Sequence, residues 1–113
     1  MAIKKSCRVT FADEKTEQTF LELNDEDEIK KYIQRAIEDI KENTFCGTQI
    51  PKRLIPVEYI KKYEVRNLWK YDLPQGWRLL YSITTPTKIE IISILIEWLN
   101  HKDYERRFRY ILF

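Results

Sequence analysis

The sequence predicts an α+β fold: a small, antiparallel-dominated sheet with N-terminal helices packed on one face and a short C-terminal helix. Three observations carry this expectation. Apolar residues between positions 29 and 40 recur at the helical period, and those between 67 and 84 alternate at the strand period. A Pro-Gln-Gly turn divides the second stretch in two. With 113 residues the chain makes one domain, 1–113, that buries roughly two-thirds of its unfolded surface.

Residues 8–11 form a short β-prone run, the first strand. Residues 13–23 favour a helix whose apolar content is Phe20, Leu21 and Leu23. Asn24-Asp25 interrupts it, and Asp25 followed by Glu28 has the form of an N-cap with a reciprocal acidic partner. Ile29, Tyr32, Ile33, Ala36, Ile37 and Ile40 then mark an amphipathic helix to about Asn43, packed on the sheet. Residues 44–56 are the least regular stretch, and Pro56 suits the first turn of a short helix through Tyr63. Residues 67–73 and 77–84 read as a hairpin around Pro74-Gln75-Gly76. A second turn leads into 89–98, the most apolar strand and so the expected centre of the sheet. Asn100 can cap a last helix to about Arg107, and 110–113 is an apolar tail.

Composition excludes several classes. Hydrophobic residues at 43% and charged residues at 34%, with only 2 Gly and 4 Pro, rule out disorder, collagen and low complexity. The formal charge of +2 is unevenly spread. Residues 1–51 hold 8 Lys and Arg against 11 Asp and Glu, whereas 52–113 hold 12 against 7. A basic C-terminal half fits a polyanion on one face, and a merely uneven surface is the competing explanation.

Cys7 and Cys46 lack CxxC spacing, and with the single histidine they supply three Cys/His ligands where structural zinc takes four. No metal or cofactor is expected. Residues 1–11, MAIKKSCRVTF, lack the apolar core of a secretory leader, and the run 91–99 is broken by Ser93 and Glu97. The expectation is a cytoplasmic protein with reduced thiols and no membrane partner.

If a three-residue loop closes the hairpin, Asp72 faces Arg78. Alternation then puts Trp69, Tyr71, Leu73, Trp77, Leu79 and Tyr81 on one face, and Lys70, Asp72 and Arg78 on the other. Arg78 in mid-sheet is either a phosphate-binding group or half of a cross-strand pair with Asp72. In the last helix His101, Tyr104 and Phe108 share one side, and Lys102, Arg106 and Arg109 form a basic stripe. Glu97 stands four residues before His101. Glutamate, histidine, tyrosine and arginine together can move protons and bind an anion, although the aromatic pair equally suits a core.

Residues 67–81, NLWKYDLPQGWRLLY, resemble the paired central strands of the RelE/ParE superfamily of type II toxins, through Leu68-Trp69 and Arg78-Leu79-Leu80-Tyr81. The approach through Thr44-Phe45 and Gly47 is similar, and HKDYERRF at 101–108 resembles the C-terminal region of the RelE and YoeB-like branches. The resemblance implies a RelE-like fold and a ribosome-dependent endoribonuclease that cuts messenger RNA without metal, the ribose 2′-hydroxyl attacking its own phosphate. Its partners would be the ribosome, mRNA and a cognate antitoxin. By position, Arg78 would bind the scissile phosphate, Lys52 and Arg53 would supply positive charge, and His101 with Tyr104 would match the acid/base pair. Lys70, Lys102, Arg106 and Arg109 complete the expected RNA-binding set. Glu97 as a base rests on its sequence position, not on the resemblance. Two other classes remain open: a ParE-like inhibitor of DNA gyrase, and a non-catalytic module that binds RNA or protein. The tail and its basic surroundings suit an amphipathic, partly acidic partner that orders on binding.

Overall fold

The computed structural model describes residues 6–108, so Arg109 and the tail at 110–113 lie outside the described residues. The chain runs β1 (Ser6–Phe11), α1 (Glu14–Leu21), α2 (Glu28–Glu42), β2 (Thr48–Ile50), α3 (Val57–Tyr63), β3 (Leu68–Asp72), β4 (Arg78–Thr84), β5 (Glu90–Leu99) and α4 (His101–Arg107). One mixed sheet holds all five strands in the order β1-β5-β4-β3-β2. β1 runs parallel to β5, and the other pairs are antiparallel. The α+β class stands.

Local chemistry accounts for the elements. Asp13 accepts from the Thr16 N–H at 2.7 Å and starts α1. The start of α2 corrects the sequence expectation: Asp27, not Asp25, is the cap, accepting from the Ile29 N–H at 3.0 Å. Asp25 instead pairs at 2.8 Å with Lys30, a buried ammonium that also donates to the Leu23 carbonyl. In an acidic run with several potential caps, the buried cation recruits one carboxylate and leaves the next to cap. α3 ends at Tyr63 as expected, but Pro56 stands just ahead of it at the N-cap position and not in its first turn. Asn100 caps α4 as expected, accepting from the Asp103 N–H at 2.8 Å.

Two further expectations are revised. The apolar β5 is not the centre of the sheet; β4 is. β5 is equally flanked, by β1 and β4, so its composition reports two neighbours and not centrality. β2 was hidden in the irregular stretch, because three residues reading Thr-Gln-Ile carry no strand period of their own.

The hairpin alternation holds. Leu73, Leu79 and Tyr81, with Trp69, Tyr71 and Trp77 packed around them, join Phe20 of α1 and Ile33, Ala36 and Ile40 of α2 in one core. The opposite face is not simply polar. Leu68, Leu80, Ile96 and Leu99 form a second core there with Tyr59 of α3 and Phe108 after α4. The helices therefore cover both faces, α1 and α2 on one and α3 and α4 on the other. No described helix is long and apolar enough to cross a membrane.

Candidate functional site

The polar end of the second face lies where β3 and β4 meet their turn. Asp72 stands opposite Arg78 in the antiparallel register. Arg78 Nη1 donates to the Gly76 carbonyl at 2.5 Å, and the guanidinium carbon lies 5.2 Å from the centre of the Tyr104 ring. Arg78 Nε is 3.0 Å from Asp72 Oδ1. That contact is ionic only: the buried Nε–H has no acceptor in line among the described residues. Lys70 Nζ donates to the same Asp72 oxygen at 2.8 Å. One exposed carboxylate thus serves two cations.

The turn brings α4 to this place. Gly76 adopts φ +81°, and a Cβ there would come within 3.0 Å of the His101 Cβ, so the turn and the helix start abut. His101 is exposed, with Nε2 2.7 Å from Glu105 Oε1 one helical turn on. Arg78, Tyr104, His101 and Lys70 therefore collect at one end of the sheet around the 74–76 turn.

Glu97 belongs to a different group. β5 carries a bulge opposite Leu80/Tyr81, where Leu80 pairs with Glu97 but Tyr81 pairs with Leu95. The skipped Ile96 and the following Glu97 both turn toward α3 and α4. There Glu97 accepts a very short hydrogen bond from the buried Tyr59 hydroxyl and another from Arg107 Nη1 at 3.1 Å. Arg107 also donates to the Tyr59 oxygen at 3.1 Å and lies 3.5 Å from Glu58. Burial and the adjoining carboxylate push the Tyr59 phenol far above its ordinary value. This group fastens α4 and α3 to the sheet.

The two groups are joined by stacked rings. Tyr104 stacks on Phe108 at 4.7 Å, and Phe108 on Tyr59 at 6.2 Å. Arg78 covers one end and Arg107 the other, its guanidinium carbon 5.5 Å from the Tyr59 ring centre. Compared with family models, curated proteins and solved structures, the chain matches none.

The remaining expected residues sit further out. Lys52 and Arg53 are exposed in a 3-10 turn between β2 and α3. Lys102 and Arg106 are exposed on α4, with Arg106 3.8 Å from Asp103. Arg109 lies outside the described residues. Sequence reasoning missed Arg107 and Tyr59. Arg107 falls three residues after Tyr104, on the same side of the helix, so its inward direction was readable. Its partners were not, because Tyr59 is 48 residues away. A groove of about 790 Å³ lies at the far end of β4, among Lys61, Lys62, Arg66, Asn67, Ser82 and Thr84. Asp13 and Glu64 share it, and none of the expected site residues lines it.

Proposed function

We propose that this chain is an RNA-directed toxin of the RelE/ParE type, a ribosome-dependent endoribonuclease held silent by a cognate antitoxin. The observation that supports it is the convergence at the hairpin turn: a braced guanidinium, Arg78, with the Tyr104 phenol at its face and His101 against the adjoining Gly76. A cation fixed beside two proton-bearing side chains suits a reaction in which charge grows on a phosphate and two protons move.

In this scheme the mRNA's own 2′-oxygen bonds to the adjoining phosphorus as the P–O5′ bond breaks. One proton leaves the 2′-hydroxyl and one reaches the departing 5′-oxygen, giving a 2′,3′-cyclic phosphate and a 5′-hydroxyl. Arg78 faces the phosphate and stabilises the negative charge that develops, its planar fork being fixed before the substrate arrives. His101 moves a proton, and Tyr104 holds Arg78 in place and assists. Glu97 is not part of the chemistry, because its carboxylate is committed to Tyr59 and Arg107. Lys52, Arg53, Lys70, Lys102 and Arg106 draw in the RNA backbone through phosphate contacts.

A second reading has its own support. Arg78 is already engaged by Asp72 and His101 by Glu105, as a non-catalytic binding module would have them. Cleavage on programmed ribosomes separates the two. Purified protein should cut ribosome-bound mRNA and leave 2′,3′-cyclic phosphate ends, and the antitoxin should suppress it. Intact mRNA at saturating protein would leave the binding module standing.

A further inference from the structure

The candidate anion site already holds an anion of its own. Asp72 Oδ1 lies 2.8 Å from Lys70 Nζ and 3.0 Å from Arg78 Nε. The three side chains differ in exposure: Lys70 is 22% and Arg78 19% exposed, but Asp72 is 60% exposed. The cations are set into the sheet face, and Arg78 is further held by the Gly76 carbonyl and the Tyr104 ring. The carboxylate rests on them from the solvent side.

The fit is imperfect in a telling way. Arg78 Nε–H is buried and has no acceptor along its bond among the described residues, although Asp72 is close. A buried donor left unaligned costs free energy that a better-placed acceptor recovers. In this arrangement Asp72 Oδ1 accepts from Lys70 Nζ but does not lie along the Arg78 Nε–H bond. A tetrahedral phosphate presents several oxygens, enough to meet the guanidinium fork and the ammonium separately.

We propose that Lys70 and Arg78 form a phosphate site in which Asp72 is a displaceable stand-in that swings to solvent when a phosphate enters. The proposal rests on the RNA-directed function above and adds its control: Asp72 sets the affinity of the site. With the carboxylate in place the site carries one net positive charge, and without it two. Displacement costs little, since the carboxylate is already largely hydrated and such pairs are weak.

The test is Asp72→Asn, which keeps the side-chain size and removes its charge. Binding of inorganic phosphate and of a short single-stranded RNA is measured at fixed low salt, with the thermal midpoint recorded alongside. The variant should bind RNA about three- to fivefold more tightly than the wild type, the strength of one exposed ion pair that no longer has to be broken. Adding Arg78→Ala should abolish the gain, and the midpoint should not rise. A gain with RNA identifies the phosphate as the RNA backbone. A gain with inorganic phosphate alone keeps the site and its displaceable carboxylate while removing the RNA-directed function. No gain with either probe, or weaker binding, overturns the proposal, since Asp72 would then merely brace Arg78.

Discussion

Removing the Glu97 carboxylate should loosen α4 without touching the chemistry. Glu97→Ala deletes the acceptor of the Tyr59 hydroxyl, whose residue is only 2% exposed, and of Arg107 Nη1. The charge-assisted bond to a buried hydroxyl contributes about 1.5–3 kcal/mol. The pair with Arg107, a third exposed, adds about 0.5–1 kcal/mol, discounted for solvent screening. Arg107 keeps the Tyr59 oxygen and Glu58, which limits the loss. The sum is about 3 kcal/mol, or roughly 12 °C in thermal midpoint for a domain of this size. Glu97→Gln, which keeps an acceptor, should lose about half as much. Urea titration reads the stability, and Tyr59→Phe combined with Glu97→Ala in a double-mutant cycle should show coupling of about 1–2 kcal/mol. Folded Glu97→Gln should also cleave ribosome-bound mRNA within about threefold of the wild-type single-turnover rate, well short of the loss of a general acid or base. Unchanged stability would refute the anchoring role. A hundredfold slower chemical step in the folded variant would return Glu97 to the reaction.

Gly47→Ala should cost about 2–3 kcal/mol, because a Cβ there would lie 2.5 Å from the Lys70 carbonyl oxygen and 2.6 Å from the Tyr81 hydroxyl. Denaturant midpoints check it, and a neutral substitution would mean that the 44–47 turn yields freely. Burial and the Asp39 carboxylate push the Tyr71 phenol up to about 12, so the folded state holds that proton more tightly than the unfolded chain. The stability this contributes is complete below the unfolded value, near pH 10, and is lost as pH rises toward 12. Stability measured between pH 9 and 11 should fall, and Tyr71→Phe should flatten the decline; an equally steep decline in the variant would remove Tyr71 as its source. RNA affinity should drop steeply with salt, with a log–log slope of about −4 if Lys52, Arg53, Lys70, Arg78, Lys102 and Arg106 all engage phosphates. A flat salt series would exclude phosphate-dominated binding.

What the sequence made legible was whatever depends on near neighbours. The Ile33, Ala36 and Ile40 stripe follows from a local period, and so does the Asp72 to Arg78 register across a three-residue turn. Arg78 was correctly set on the face opposite Trp69 and Tyr71, because alternation needs no tertiary information. The two-sided covering of the sheet was not legible. Nothing near residues 57–63 announces that Tyr59 will be buried against Ile96 and Phe108 on the second face. The division of the expected acid/base group was hidden for a related reason. Glu97 and His101 are four residues apart, but a bulge at Ile96 turns Glu97 toward Tyr59 and Arg107, and an Asn100 cap starts a helix between them. A bulge leaves no mark in a mostly apolar run such as IISILIEWL, whose two polar residues do not reveal where the register slips. The Asp25 and Asp27 exchange belongs to the same class, since the deciding cation, Lys30, acts only once it is buried.

Single-turnover cleavage of mRNA on programmed ribosomes, comparing wild type with Arg78→Ala and His101→Ala, bears most directly on the proposed chemistry at the hairpin turn. Each folded variant should slow the chemical step by roughly 10²–10⁴-fold, with mRNA still bound and thermal midpoints near wild type. Wild-type rates in both would mean that the Arg78–Tyr104–His101 group is structural and that the chemistry lies elsewhere or is absent.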